Sequence, residues 1–454
     1  MNLPFAGSLP STGTIVAVLA VCALAAGALA VLMRRRPDAF PLLAVLALPF
    51  RVPISASGRT VNLLIPLYVV IAAAALALLL PKLLARAASE EAPRGDAATE
   101  QAVRWLQWLL LGAVALYIVQ IAYSPDRAKA AENVAFFYLP FGLLFAMLRD
   151  VRWTRELLIR CLALLVAVAV VLAGIGFVEY YRKSLFLNPK LVAANDYDNF
   201  FRVNSLFFDP SIYGRFLMLV MLCVMTGVLW GGRREAKIGA AVLIWLLVGL
   251  VTSFSQSSIA ALMLGLAVLA GWCWGWWRTG LTLAVLVLVA AVLVLVTPKG
   301  WHLKGGSANT ATSGRTNLIE SGLELFVDRP LQGYGSGSFE TEYKRHASAR
   351  DATAENATSA SHTIPVTIAA EQGVLGLAVY TALLVAAFLV LFEGAGRSPP
   401  RIALAACFAA LVLHTWTYAD FLEDPFTWAL LALGVSLARA PLPTVAARAR
   451  ATTV

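Results

Sequence analysis

Residues 297–376 read TPKGWHLKGGSANTATSGRTNLIESGLELFVDRPLQGYGSGSFETEYKRHASARDATAENATSASHTIPVTIAAEQGVLG. This stretch leaves an apolar run at Thr297, stays polar for roughly sixty residues and re-enters an apolar run at Thr363. It holds Ser313-Gly314-Arg315-Thr316, then Asp328-Arg329-Pro330-Leu331-Gln332-Gly333-Tyr334-Gly335, and Ser361-His362 directly before the next apolar segment. Nearly everything outside it is hydrophobic. A long polar loop between two membrane crossings, ending in a histidine at the membrane surface, is where the chain can do chemistry.

Composition supports that reading. The 454 residues are 60% hydrophobic and 14% charged, with a mean hydropathy of +0.76. Apolar runs of about 20 residues recur along the chain, each long enough to cross a bilayer as a helix. Backbone donors cannot stay unpaired in lipid, so the crossings are expected to be helical. The net charge of +10 does not indicate nucleic acid, because the basic residues sit in loops beside the apolar runs, as membrane topology requires. Cys22, Cys161, Cys223, Cys273 and Cys407 all lie in apolar runs; their odd number and lack of CxxC spacing argue against a disulfide framework or a structural zinc site. A cleavable leader is not expected, since Arg34-Arg35-Arg36 follow the first apolar run instead of preceding it.

The pattern predicts an all-α polytopic membrane protein of about 12–13 transmembrane helices with one long extracytoplasmic loop. Spans are expected at 13–33, 38–50, 61–81, 105–123, 132–148, 157–180, 211–230, 238–253, 257–277, 279–297, 363–392, 402–418 and 425–439, with 38–50 short enough to be a partial crossing. This gives a bundle over 1–297 with an external loop at 181–211, the long loop at 298–362, and C-terminal helices with a tail at 363–454. With the C-terminus inside, 19 of the 36 basic residues fall in inner loops and 8 in the shorter outer ones. The positive-inside rule then puts the long loop outside the cytoplasm. The loop 82–104 reads as solvated, and Trp272, Trp274, Trp276 and Trp277 as an interfacial belt. There is no fixed-period repeat and no phosphate-binding glycine motif.

Few residues remain that could carry a reaction. Asp209-Pro210 fits an N-cap followed by the first helical position. Arg215, one turn into that span, either faces a water-filled cavity or an anion, or snorkels to the headgroups. Arg202, just upstream, binds either a specific ligand or headgroups. Leu318, Ile319, Gly322, Leu325 and Phe326 recur at helical spacing until Pro330, which would put Arg315 at a helix N-terminus, a good place for a phosphate. Gly333, Gly335 and Gly337 mark a turn or a close backbone approach. Of four histidines, His302 and His346 have no partner pattern and His414 reads as packed within a span. His362, at the first turn of a span, can take a proton from a hydroxyl. Glu371 reads as structural, holding a neighbouring helix. Asp420, Glu423 and Asp424 either bind an acceptor sugar or cap the last span. Two arginines and a histidine on one face suggest transfer from a diphosphate-bearing lipid: a base takes the hydroxyl proton and cations receive the leaving group, with no metal or other cofactor expected.

Gly314-Arg315, Arg329-Pro330-Leu331-Gln332-Gly333-Tyr334-Gly335, Ser361-His362 and Glu371-Gln372-Gly373-Val374-Leu375-Gly376 together resemble the O-antigen ligase and polymerase superfamily, with Arg202-Val203-Asn204-Ser205-Leu206-Phe207-Phe208-Asp209-Pro210-Ser211 resembling its earlier external loop. The resemblance covers roughly residues 100–440. It implies the fold of the C-type glycosyltransferases and the transfer of glycan from undecaprenyl diphosphate to a glycolipid or glycan acceptor, on the outer face of a bacterial inner membrane. His362 resembles the catalytic base, Arg202 and Arg315 the diphosphate-binding arginines, and Asp420 a conserved acidic position. Arg215 joins the substrate-binding candidates on its own location. A polymerase of the same family is the alternative. A flippase of lipid-linked glycans would instead show buried mid-membrane charge pairs and repeat symmetry.

Overall fold

An apolar segment in lipid satisfies its backbone within itself, and the hydrophobic runs do fold as helices. The computed structural model describes residues 12–56, 59–84, 97–186, 201–285, 315–348, 361 and 363–439. In chain order these form α1 (Thr12–Arg35), α2 (Ala39–Ala47), α3 (Ile65–Leu79), α4 (Ala97–Gln120), α5 (Arg127–Leu148), α6 (Arg155–Arg182), α7 (Pro210–Trp230), α8 (Arg233–Thr252), α9 (Gln256–Trp274), α10 (Arg315–Asp328), α11 (Phe339–Ser348), α12 (Ile364–Phe392), α13 (Pro399–Trp416) and α14 (Pro425–Arg439). A further helical stretch covers 276–285. The protein is an all-α polytopic membrane protein; among the described residues nine helices are long and apolar enough to cross a bilayer.

The segment 38–50 folds as α2, only 9 residues long, which at 1.5 Å per residue reaches about 13 Å and cannot cross a core of about 30 Å. It is followed by an antiparallel hairpin of β1 (Val52–Ala56) and β2 (Arg59–Leu63), an exception to the helical pattern. Most of the span expected at 279–297 lies outside the described residues. Trp274, Trp276 and Trp277 are exposed at the turn between two helical stretches.

The chain forms two compact units. The first comprises Met1–Arg94, Pro140–Ile259 and Trp428–Ala440, the second Gly95–Leu139, Ala260–Thr427 and Pro441–Val454. In the first unit α7 is the interior helix, 72% buried against 17% for α1. Tyr213 of α7 is fully buried beside Phe207, which also packs against Phe216, and α6 and α8 approach Tyr213 through Gly176 and Gly249.

The second unit turns on a break in α12. Gly373 has φ 64 and ψ −160 inside that helix. The break frees backbone groups of Ala370, Glu371 and Val374, which would have to stay unpaired in an apolar environment. The loop after α10 takes them up: Tyr334 N–H donates to the Ala370 carbonyl (3.1 Å), Gly335 N–H to the Glu371 carbonyl (2.7 Å), and Val374 N–H to the Pro330 carbonyl (2.7 Å). Gly333, itself at φ 64, passes so near that a Cβ there would lie 2.3 Å from the Glu371 carbonyl carbon; one on Gly373 would lie 2.4 Å from the Leu331 oxygen. The glycines serve close backbone approach to a helix, more than a plain turn. Leu318 and Leu325 of α10, Tyr334, Phe339 and Ala370 close an apolar cluster around the joint, and Gly322 of α10 fits against Val366 and Phe339.

Gly373→Ala and Gly275→Ala separate these effects. Both glycines have positive φ (64 and 93), but a Cβ on Gly275 meets nothing within 4 Å. Gly275→Ala should cost only backbone strain, about 1 kcal/mol, whereas Gly373→Ala should lower the thermal unfolding midpoint of the purified protein by at least twice as much. Equal shifts would mean that the loop does not dock on the helix break.

Candidate functional site

Two loops near the candidate residues are each held by a carboxylate from a membrane helix. In the first unit the loop 201–209 carries Arg202. Glu179, in the last turn of α6, is fully buried and accepts N–H bonds from Phe186 (3.0 Å), Asn204 (3.3 Å) and Ser205 (2.7 Å). Ser205 sits at φ 51 and donates its hydroxyl to the Leu172 carbonyl at 2.8 Å. Val203 N–H reaches the Thr252 carbonyl at 3.2 Å. Arg202 is thus the residue before a pinned segment; its Nε donates to the Ser253 carbonyl at 3.4 Å, and its side chain is half-buried.

The same loop ends in the cap expected from sequence. Asp209, in extended conformation, accepts from Ser211 N–H (2.6 Å) and Ile212 N–H (3.4 Å), with Pro210 opening α7. Arg215 is 1% exposed, so its guanidinium faces protein and the snorkelling reading is set aside.

In the second unit Arg315 opens α10, as the periodicity required. Its side chain and all of His362 lie outside the described residues. On either side of His362, Ser361 is fully buried; its Oγ donates to the Thr363 carbonyl (2.8 Å), accepts from Thr363 N–H (3.2 Å) and pairs with Thr367 Oγ1 (2.9 Å). The chain therefore turns into α12 at a defined point.

Glu371 holds the second loop. It lies two turns into α12 and is 8% exposed. Its Oε2 accepts from Gly337 N–H and its Oε1 from Phe339 N–H, both at 3.0 Å. The carboxylate caps the N-terminus of α11, where free N–H groups and the helix dipole favour a negative charge. It holds a neighbouring helix, as expected, through the N-terminus of α11 and the turn that leads into it. Tyr123 Oη donates to the Gln332 carbonyl (3.0 Å) and Ser124 Oγ to the Ser336 carbonyl (2.9 Å), fixing the other side of the same loop. Arg329 lies 4.4 Å above the Tyr334 ring. His346, without a partner pattern in sequence, bonds through Nε2 to Asp328 Oδ2 at 3.1 Å.

The three acidic residues before α14 divide their roles. Asp424 caps α14, accepting from Phe426 N–H at 2.8 Å. Asp420 has φ 65 and is hydrogen-bonded to Glu423. Glu423 accepts from Tyr138 Oη at 3.1 Å. Burial and the neighbouring Asp420 push the Glu423 carboxyl up to about 7, against the pull of Lys129 and Tyr138. Of the sequence candidates, Arg202 and Arg215 belong to the first unit, and Arg315, His362 and Asp420 to the second. Glu179 and Tyr138 carried no signal in the sequence, because their partners are backbone amides or residues far along the chain. Among the described residues no three His, Cys, Asp or Glu side chains gather as a metal site.

The fold and its clamped loops define a multi-pass membrane protein with polar loops anchored on intramembrane carboxylates. Residues 241–381 match the family model described as O-antigen ligase. The match spans 141 of the chain's 454 residues and agrees with the resemblance carried by the motifs. It contains Arg315, the Gly333–Gly337 loop, His362 and Glu371, while Glu179, Arg202, Arg215 and Asp420 lie outside it. No curated protein matches the chain.

Removing either clamp should release its loop. Glu371→Ala leaves two N–H groups unpaired, one of them buried, and Glu179→Ala three, two of them buried, each change costing about 3 kcal/mol. Amide hydrogen exchange should rise at Gly337 and Phe339 in the first variant and at Phe186, Asn204 and Ser205 in the second. Exchange unchanged at those amides would mean the carboxylates do not hold the loops.

Proposed function

We propose that the protein is a membrane glycosyltransferase, moving a glycan from undecaprenyl diphosphate to an acceptor hydroxyl on the extracytoplasmic face of the bacterial inner membrane. The observation that carries this reading is the joint between the Pro330–Gly337 loop and the Glu371–Gly373 break. Two motifs of the family resemblance are reunited there, within the matched segment. The joint ties the loop that follows the Arg315 helix to the span that begins just after His362.

In this reading His362 accepts the proton of the acceptor hydroxyl as its oxygen attacks the anomeric carbon. The bond from that carbon to the diphosphate oxygen breaks, and the lipid diphosphate leaves with the electron pair. Arg202 and Arg315 bind the diphosphate; a guanidinium can hold two of its oxygens at once and neutralise the charge that grows as the bond breaks. Arg215 and Asp420 complete substrate binding. Arg315 at a helix N-terminus is supported by the start of α10, since backbone N–H groups there add to the attraction for phosphate. Arg202 is supported by the pinned segment that follows it. Basic residues concentrated on the opposite side support the extracytoplasmic placement.

Purified protein given a lipid-diphosphate glycan and candidate acceptors should transfer the glycan. Attachment to lipid A core or another lipid identifies a ligase, elongation of a second lipid-linked repeat identifies a polymerase, and translocation without bond transfer rules out the transferase reading. His362→Ala should reduce turnover by about 10²-fold or more with donor binding near normal; retained turnover would remove its role as base.

Lys at position 202 or 315 should restore donor affinity only partly relative to Ala, because the planar fork is lost. Full rescue by lysine would show that charge alone is read. Turnover should persist in a chelator, and strict dependence on an added divalent ion would contradict the assignment of the leaving-group charge to arginine.

A further inference from the structure

The turn between α8 and α9, in the first unit, has no part in either clamp, yet it meets Arg202. α8 ends at Thr252 with Ser253 as its cap residue, so the carbonyls there find no partner within the helix. They take successive residues of the Arg202 segment. The Thr252 carbonyl accepts from Val203 N–H (3.2 Å) and the Ser253 carbonyl from Arg202 Nε (3.4 Å). A guanidinium suits this place, because a helix C-terminus carries partial negative charge. The Nε bond is long, and the backbone bond beside it fixes the point from which the side chain starts.

Serines hold the turn in this shape. Ser253 is fully buried; its Oγ donates to the Leu250 carbonyl (2.6 Å) and accepts from Ser255 N–H (3.3 Å). Ser255 Oγ accepts from Ser258 N–H (3.3 Å), capping α9, and pairs with Ser257 Oγ (3.2 Å) and Ser258 Oγ (2.8 Å). Ser258 Oγ donates to the Ser211 carbonyl at 3.3 Å and lies against Gly214, where an added Cβ would be 2.6 Å from it. The turn thus touches the Arg202 segment at one end and the residue before Arg215 at the other. Between them Phe254 has φ 50. A bulky residue keeps that conformation only where its surroundings hold it, and such strain gathers at sites of function. The turn also lies inside the matched segment 241–381, which leaves Arg202 out.

We propose that this turn aims the Arg202 guanidinium at the substrate diphosphate, with Ser253 a positioning residue that acts through Arg202. An arginine binds phosphate oxygens with a planar fork, so its orientation counts as well as its charge. Holding Nε on a carbonyl fixes the plane of that fork. A long side chain anchored in advance also loses less rotamer freedom when the ligand arrives, which favours binding. Ser253 enters because its hydroxyl ties the end of α8 to the start of the turn and so sets where its own carbonyl points. The inference rests on the transferase reading for the role of Arg202.

The test measures binding of radiolabelled undecaprenyl diphosphate, the carrier half of the proposed donor, to the full chain in lipid nanodiscs. Ser253→Ala should weaken binding about fivefold, and Ser253→Thr, which keeps the hydroxyl, should restore it. Phe254→Asn, tolerated at positive φ, should bind as the parent does, while Phe254→Val, a β-branched residue that resists this conformation, should lose as much as Ser253→Ala. In an Arg202→Ala background Ser253→Ala should add no further loss, which a merely structural role would not predict. In the transfer assay the KM for donor should rise with that for acceptor unchanged. Thr226→Ala removes a comparable hydroxyl-to-carbonyl bond at the far end of α7 and, as the control, should leave binding unchanged. Should Ser253→Ala fail to fold, the contrast between Asn and Val at position 254 decides alone. Where Arg202→Ala weakens binding, the inference is overturned if Ser253→Ala and Phe254→Val both bind normally. It is equally overturned if the Ser253→Ala loss persists in full without Arg202, and in both cases the role of Arg202 stands. Binding untouched by Arg202→Ala removes that role and the inference together.

Discussion

The structure depends on an exchange between two costs. A carboxylate inside an apolar helix bundle is expensive, and so is a loop amide buried against that bundle without an acceptor. Glu179 and Glu371 set each cost against the other. Each lies on a long membrane helix, and each spends its oxygens on backbone N–H groups of a polar loop. At Glu371 the exchange extends to the backbone, because the break at Gly373 releases carbonyls that the loop binds and an N–H that Pro330 accepts. A loop that would otherwise be free to leave the membrane surface becomes continuous with the helix bundle. That continuity is what gives a flexible polar segment the rigidity a reaction site needs.

Much of this was readable in the chain. Long apolar runs become helices because lipid leaves no alternative, and Arg315 opens a helix because the apolar residues after it recur with a period near 3.6 until Pro330 stops them. Asp209 caps α7 through residues two and three places on, and local chemistry of that kind is visible locally. The failures share a cause. The segment 38–50 is the partial crossing that its length allowed, but the hairpin of Val52–Ala56 and Arg59–Leu63 after it went unread. α11 is polar and short, and its N-terminus is held by Glu371, more than thirty residues downstream. Glu423 finds Tyr138 across 285 residues. Side chains whose partners are distant, or are backbone amides, leave no pattern in a window of sequence.

The candidate site follows the same division. His362 and Arg315 stood out because an ionisable group at a membrane surface or a helix start is conspicuous. Glu179 looked like one more residue at the end of a span, though it secures the segment next to Arg202. Glu371 reads as a structural residue holding a neighbouring helix, and so it is: it joins α12 to the N-terminus of α11. Acidic residues grouped by the sequence into one patch separate in space into a cap, Asp424, and a hydrogen-bonded pair, Asp420 and Glu423.

The two carboxylates also differ in when their partners exist. The chain is synthesised from its N-terminus, so Phe339 and Gly337 have already emerged when the segment bearing Glu371 reaches the insertion machinery, whereas Phe186, Asn204 and Ser205 come after Glu179. The helix with Glu371 can therefore meet a finished loop as it enters the bilayer. The helix with Glu179 has to settle in lipid first, with its carboxyl protonated or at the interface, and wait for the strand of chain that will quench it. The Arg202 loop is thus locked after the helix that holds it, and the Gly337 loop stands ready before its own helix arrives.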